Sequence, residues 1–346
     1  MTRRPTSLKD VLADIERWRD RGDRVALATV VATRRSAPRP VGAKLAISSS
    51  GELAGSVSGG CVEHEVYEEA KDVFAGGGAK LLTYGISDEQ GWEAGLPCGG
   101  ELDVLLHVLD DDGVIEGAKK IQETGKRAAI MTTLDGGRAT LVEEGSREDV
   151  DELIRLRRNA LVERDGESVF VEVLGPPPRL FVIGALDLAD ALCAAAKLLG
   201  WRTVVADARA RFATSERLPH ADDVIVAWPD EALAQVAPDH DTAIVVLTHD
   251  DRFDIPALAG ALGTEAFYIA ALGSRRNQER RRERLLEAGV EEEQLDRIMG
   301  PCGLDIGADT QEETALSILA EILAVRAKRA GGFLKSAKQR IHVEVE

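Results

Sequence analysis

The chain has 346 residues, of which 44% are hydrophobic and 30% are charged, and its formal net charge is −17 at pH 7. This length leaves room for two domains with separate cores, and the negative charge argues against general nucleic-acid binding, which requires a positive face. No apolar run is long enough to span a membrane, so we expect a cytoplasmic protein whose partners are proteins and small molecules.

The first predicted element is an amphipathic helix over residues 8–21, not the apolar core of a signal peptide. Strand-like runs follow at residues 25–31 and 44–48, and a loop rich in proline and glycine joins them. Arg39 and Lys44 belong to this region and could clamp the anionic oxygens of a ligand. The alternative is an ordinary hairpin loop whose charges are solvated.

Two short stretches that combine glycine with cysteine are the most informative part of the chain: Ser58-Gly59-Gly60-Cys61 and Cys98-Gly99-Gly100. Paired glycines let the backbone turn at positive φ and let bare amides approach a ligand. We expect a helix within residues 58–76 with Cys61 at its N-terminus, where free amides and the helix dipole stabilise a thiolate or a bound anion. The pattern predicts an anion site, and the alternative is two small side chains packed beside glycines.

The region from residue 110 to 172 alternates short strands and helices and is expected to complete the first domain. Residues 175–178 read Gly-Pro-Pro-Pro, a run that can continue neither a helix nor a central strand. We therefore predict an N-terminal domain over residues 1–175, a second domain over residues 176–330 and a tail over residues 331–346.

The second domain opens with a strand at residues 180–183, a helix at 186–199 and a strand at 203–206 that ends at Asp207. This order is typical of a dinucleotide-binding βαβ unit. Further apolar strands are expected at residues 223–227, 243–248 and 266–271. Together with the first two strands, they predict a Rossmann-like, doubly wound parallel sheet.

The glycine fingerprint of that unit is damaged. Leu186 stands where the second glycine would let the backbone approach a pyrophosphate, and Asp187 adds a negative charge beside it. The pattern therefore favours a Rossmann-like fold but disfavours the binding of NAD(P). An NAD(P)-dependent oxidoreductase that uses Asp207 is retained as the alternative function.

A second candidate anion site follows the last predicted apolar strand of this sheet, where Gly273, Ser274 and Arg275 open a strongly basic helix. Ligands of open α/β sheets bind at the carboxyl ends of strands, so helix amides, a hydroxyl and a guanidinium could hold an anion there. Arginines further along the helix are expected on a solvated face that suits an acidic partner: Arg280, Arg281, Arg282 and Arg284.

The chain resembles the xanthine dehydrogenase accessory family, XdhC/CoxI, over nearly its whole length. The segments that carry the resemblance are residues 36–44, 55–63, 95–100, 200–209, 269–276 and 301–308. The resemblance implies an N-terminal XdhC/CoxI α/β domain, a C-terminal Rossmann-like domain and a homodimer.

The resemblance also implies a maturation factor and not an enzyme. Such a factor holds molybdenum cofactor, as molybdopterin or its cytosine dinucleotide form, while a cysteine desulfurase-like sulfurtransferase supplies a terminal sulfur. It then delivers the cofactor to a molybdenum hydroxylase client, such as xanthine or carbon monoxide dehydrogenase.

A carrier of this cofactor needs a soft contact, hydrogen-bonding amides and an anion site. Cys61 and Cys98 are the candidate soft contacts, and Cys61 could touch the molybdenum itself. The predicted cofactor-binding residues are Arg39, Lys44, Ser58, Gly59, Gly60, Cys61, Cys98, Gly99, Gly100, Gly273, Ser274 and Arg275.

Cysteine chemistry leaves two further hypotheses. A thiol-dependent transferase could use Cys61 as nucleophile with His64 as its base, since residues three apart share a helix face. Cys302 stands where the family has an apolar residue and adds a possible thiol near the second candidate site.

Overall fold

The computed structural model describes residues 8–34, 37–85, 100–110 and 112–337. The chain divides into two compact units, the first reaching Pro176 and the second running from Pro177 to Ser336. Among the described residues, no helix has both the length and the apolar character that crossing a membrane requires.

The first unit contains a five-stranded sheet in which every neighbouring pair of strands is antiparallel, in the order β3-β2-β1-β5-β4. Its elements are β1 (Val25–Arg34), β2 (Lys44–Ser48), β3 (Leu53–Gly55), β4 (Lys80–Tyr84) and β5 (Glu101–Val108), with α1 (Leu8–Asp20) before the sheet and α2 (Glu63–Phe74) after β3. Strand β1 is buried on both faces because Ala26, Ala28 and Val30 share a core with α2, whereas Val25 and Leu27 share one with α1.

A four-stranded antiparallel sheet completes the first unit in the order β7-β6-β9-β8. Its elements are α3 (Asp112–Thr124), β6 (Ala128–Thr133), β7 (Ala139–Glu143), α4 (Glu148–Leu156), β8 (Ala160–Arg164) and β9 (Glu167–Leu174). Helix α4 packs on one face of this sheet through Val150 and Ile154. The other face joins α1, α3 and the five-stranded sheet in one core.

The second unit is built on a six-stranded parallel sheet in the order β12-β11-β10-β13-β14-β15. Counted from its first strand, this is the order 3-2-1-4-5-6 of a Rossmann sheet. The doubly wound parallel sheet that the sequence predicts is thus confirmed. The strands are β10 (Arg179–Ile183), β11 (Arg202–Ala206), β12 (Asp223–Ile225), β13 (Thr242–Val246), β14 (Tyr268–Ala271) and β15 (Ile298–Met299).

Helices cover both faces of the parallel sheet. One core unites α5 and α10 with one face, and a second unites α6, α7 and α8 with the other. The helices are α5 (Asp187–Leu198), α6 (Pro229–Val236), α7 (Asp251–Leu262), α8 (Arg275–Glu287), α9 (Glu292–Leu295) and α10 (Gln311–Arg326). The fold is therefore α/β, and its second unit is doubly wound.

Candidate functional site

One end of the five-stranded sheet gathers three of the predicted segments. Because its neighbouring strands are antiparallel, β1 ends, β2 begins, β3 ends and β5 begins at this end. The loop with Arg39 leaves β1, the segment with Cys61 leaves β3, and Gly100 directly precedes β5. Cys98 and Gly99 lie outside the described residues.

The amides of the glycine segment are occupied by a side chain of the chain itself. The Glu63 carboxylate accepts hydrogen bonds from two hydroxyls and four backbone amides: the hydroxyls of Ser56 and Ser58, and the N–H groups of Val57 (3.1 Å), Ser58 (2.9 Å), Gly59 (3.1 Å) and Gly60 (2.8 Å). The sequence pattern predicts that these amides bind the anion of a ligand. The structure gives them to Glu63 instead.

Helix α2 begins later than predicted, at Glu63, so Cys61 lies before the helix and is not part of it. The Ser58 hydroxyl oxygen accepts hydrogen bonds from the N–H groups of Cys61 and Val62, both at 2.9 Å. Gly60 has a φ of +116°, which only glycine adopts without strain. These contacts hold the segment in one conformation, with the Cys61 side chain exposed.

The Glu63 carboxylate stays ionised far into the acid range. Partial burial would raise its pKa, but the hydroxyl and amide donors outweigh that effect and lower the pKa to about 2. A carboxylate whose pKa is lowered by folding stabilises the fold above its unfolded pKa, and this contribution is lost as pH falls through the folded value.

We expect Glu63→Gln to lower the free energy of unfolding by about 1–3 kcal/mol at pH 7, since the amide keeps the shape but loses the charge and one acceptor. The difference between the two proteins should shrink as the pH falls from 4.5 to about 2, where Glu63 itself becomes protonated. Urea unfolding across this pH range tests the expectation. A difference that stays constant with pH would contradict it.

The two cations expected to clamp an anion lie in different surroundings. Lys44 is 2% exposed, and its ammonium lies 2.9 Å from Glu172 Oε2 and donates to the Thr29 hydroxyl at 2.9 Å. Arg39 is 9% exposed, and its Nε–H is buried without a hydrogen-bond acceptor among the described residues. The structure therefore gives Lys44 a partner within the fold and leaves Arg39 as the candidate anion contact.

The second candidate anion site lies at the carboxyl end of β14. Gly273 has a φ of +143° and leads to Ser274, whose hydroxyl oxygen caps α8 by accepting the N–H of Asn277 at 3.3 Å. Arg275 is exposed. Ser274 therefore serves the helix, while Arg275 stays open to solvent.

Arg281 was predicted on the solvated face of α8, and that prediction is wrong. It is 2% exposed, its Nε donates to the Asp254 carboxylate at 2.7 Å, and Asp254 is fully buried. Its two Nη groups donate to the carbonyls of Leu272 (2.6 Å) and Thr248 (3.1 Å), the residues that follow β14 and β13. Arg281 thus fixes the carboxyl edge of the sheet from inside the fold.

The carboxylate expected to bind a ribose is engaged within the chain. Asp207 accepts the N–H of Ala185 at 2.9 Å and two hydrogen bonds from the guanidinium of Arg209 at 2.9 and 2.7 Å. Burial would raise the pKa of Asp207, but these donors lower it. This pairing occupies Asp207, one of the two features on which the NAD(P) alternative rests. The other feature, the βαβ unit, is present in the structure, with Leu186 at its first turn.

The described cysteines differ in exposure. Burial raises the pKa of both Cys193 and Cys302 to about 12, so both remain protonated thiols at neutral pH. Cys61 is exposed, but no hydrogen bond among the described residues joins it to His64, and it precedes the helix that the transferase hypothesis requires. Within the described ranges, no three histidine, cysteine or acidic side chains gather as a metal site.

Two family models match the chain. The model described as the XdhC and CoxI family matches residues 18–85, and the model described as the XdhC Rossmann domain matches residues 180–322. Together they cover more than half of the chain, one in each unit. The chain therefore belongs to the XdhC/CoxI family.

Individual relatives agree with this assignment. An Escherichia coli (strain K12) protein named molybdenum cofactor insertion chaperone PaoD is 29% identical over 309 residues, which cover 88% of this chain and 84% of PaoD. A Bacillus subtilis (strain 168) protein, named as a probable subunit of xanthine dehydrogenase, is 26% identical over 321 residues, 89% of this chain and 95% of that protein. A crystal structure from Bacillus halodurans, described as a xanthine dehydrogenase, superposes with a TM-score of 0.69 at 26% identity and covers 94% of this chain and 98% of its own.

Proposed function

We propose that this chain is a maturation factor that binds molybdenum cofactor through Cys61 and inserts it into a molybdenum hydroxylase. The observation that carries the proposal is the exposed Cys61 thiol on a segment held by Glu63 and Ser58. Family membership and the name of the relative PaoD support the choice of cargo.

The residues present fit such a cargo. Cysteine sulfur is a soft ligand for a dithiolene-bound metal, and Cys61 is accessible to such a metal because its side chain is exposed. In this proposal Ser58, Gly59 and Gly60 act by holding Cys61 in place and not by binding the anion of the cofactor. When bound, the cofactor supplies the exchangeable metal ligand that the client enzyme needs.

The proposal extends to the steps around binding. The cargo is molybdopterin or its cytosine dinucleotide form, and a cysteine desulfurase-like sulfurtransferase supplies the terminal sulfur while the cofactor is held. The factor works in the cytoplasm as a homodimer. Gly100, at the same end of the five-stranded sheet as the Cys61 segment, and Arg275 in the second unit remain proposed contacts of the cofactor or the client.

The test is anaerobic incubation of the purified protein with molybdenum cofactor, followed by gel filtration and quantitation of molybdenum and pterin in the protein peak. We expect about one cofactor per chain for the wild-type protein and loss of nearly all of it for Cys61→Ala, because the soft ligand is removed.

The matched control is Cys302→Ala, which removes a thiol with a raised pKa from the other unit and should retain the cofactor. Retention by Cys61→Ala at the wild-type level would exclude Cys61 as the contact. Circular dichroism of each variant establishes that the fold is unchanged.

A further inference from the structure

The part of the loop that follows Arg39 is held by backbone and side-chain hydrogen bonds. After Arg39, the N–H of Gly42 donates to the carbonyl of Val30 at 2.8 Å, and the N–H of Val30 donates to the carbonyl of Ala43 at 2.9 Å. The Asn159 side-chain amide donates to the carbonyl of Val41 at 3.5 Å. Residues 41–43 therefore lie along β1, and the backbone that follows Arg39 is held in place.

The burial of Arg39 is energetically unfavourable without an anion. A guanidinium carries five N–H donors and a permanent charge, and burying such a group is costly unless an acceptor compensates it. Arg39 is 9% exposed, its Nε–H has no acceptor among the described residues, and the ion pairs of those residues do not include it. Among the described residues, the loop thus holds a buried guanidinium whose Nε–H has no acceptor.

The two other buried cations in the part of the chain that the structure describes follow the opposite pattern. Lys44 pairs with Glu172, and Arg281 pairs with Asp254, each cation being 2% exposed. Arg39 is therefore the exception within the described residues. An acceptor from outside the chain would complete its coordination in the way these carboxylates complete the others.

We propose that Arg39 binds a phosphate ester of the ligand. Guanidinium groups match the geometry of phosphate oxygens, and the glycine amides that could otherwise take this group are filled by Glu63. The inference rests on the proposed function for the ligand that carries the ester. That ester is the terminal phosphate of molybdopterin or the pyrophosphate of its cytosine dinucleotide form.

The experiment is thermal unfolding of the full chain in increasing inorganic phosphate or pyrophosphate, with potassium chloride keeping the ionic strength constant. We expect either anion to raise the Tm of the wild-type protein. A larger rise with phosphate indicates a terminal monoester as the natural group, and a larger rise with pyrophosphate indicates the dinucleotide linkage. No rise with either anion would overturn the proposal.

The variant Arg39→Met distinguishes a ligand-binding role of Arg39 from a structural role. Removing a buried guanidinium whose Nε–H has no acceptor among the described residues should raise the Tm in phosphate-free buffer and abolish the response to both anions. A structural arginine with a partner in the fold would give a lower Tm or a variant that does not fold, and either result overturns the proposal. So does a variant that responds like the wild-type protein.

Two further variants complete the series. Arg39→Lys keeps the charge without the fork of donors and should respond more weakly than the wild-type protein. Arg276→Met removes an exposed arginine from the second unit and should leave both the Tm and the response unchanged. A lost response in Arg276→Met would move the anion site away from Arg39.

The anion test and the molybdenum test fail independently. Phosphate contains no metal and no pterin, so Cys61→Ala should keep its response to phosphate even though it loses the cofactor. An anion response without molybdenum retention would leave the Arg39 site standing and remove the proposed function. Molybdenum retention without an anion response would do the reverse.

Discussion

Replacing Lys44 with methionine is expected to destabilise the first unit by about 3–5 kcal/mol, because the Glu172 carboxylate would stay buried without its cation. Glu172 lies on β9 and accepts the Leu8 N–H at 3.1 Å as well as pairing with Lys44 of β2. The pair therefore links the two sheets of the first unit to the start of α1. Urea unfolding measures the loss, and hydrogen exchange of peptides from each unit locates it.

The double variant Lys44→Met, Glu172→Leu is the control for this experiment. Replacing both charges with apolar groups removes the uncompensated carboxylate, so most of the lost stability should return. If Lys44 instead bound the ligand, Lys44→Met would keep its stability and lose cofactor retention. Unchanged stability in the single variant would therefore restore Lys44 to the candidate site.

Arg281→Met should destabilise the second unit by a similar amount, about 3–5 kcal/mol. The variant leaves a buried carboxylate without its cation and two carbonyls at the ends of strands without their hydrogen-bond donor. Asp254 loses its cation, and the carbonyls of Leu272 and Thr248 lose their donors. Hydrogen exchange should rise in peptides around β13 and β14, whereas peptides of the first unit should keep their protection.

Arg282→Met is the matched control because Arg282 is the next residue in α8 and its side chain is 42% exposed. Its two ion pairs, with Glu292 and Asp296, involve side chains that are 75% and 83% exposed. Exposed ion pairs of this kind contribute about 0–1 kcal/mol to the free energy of unfolding. This variant should therefore unfold almost like the wild-type protein. Equal losses in the two variants would show that burial does not distinguish them.

The sheet of the second unit could be predicted because its strands are short apolar runs, which is typical of parallel strands buried on both faces. The predicted strand 203–206 lies inside β11, and the predicted strand 243–248 overlaps β13 but runs two residues past its end at Val246. The order of the first unit's strands could not be predicted in this way. Strand β1 pairs with β5 across a long stretch of sequence, and such a pairing leaves no local pattern.

The roles of individual charges were harder to predict than the fold. The partner of Lys44 lies 128 positions further along the chain, so its ion pair has no local signal. Arg281 could have been suspected, since it lies one helical turn before Leu285, which belongs to the core. Glu63 also had a signal, because an acidic residue at the start of a helix can turn back to nearby amides.

The capture of the glycine amides by Glu63 affects competition at this segment. A carboxylate held a few residues away acts at a high effective concentration, so dissolved inorganic anions compete with it poorly. Abundant phosphate or sulfate should therefore leave the Cys61 segment in its native conformation. The Cys61 thiol stays accessible in their presence. Which ligand binds there is therefore decided by its affinity for sulfur and not by the concentration of inorganic anions.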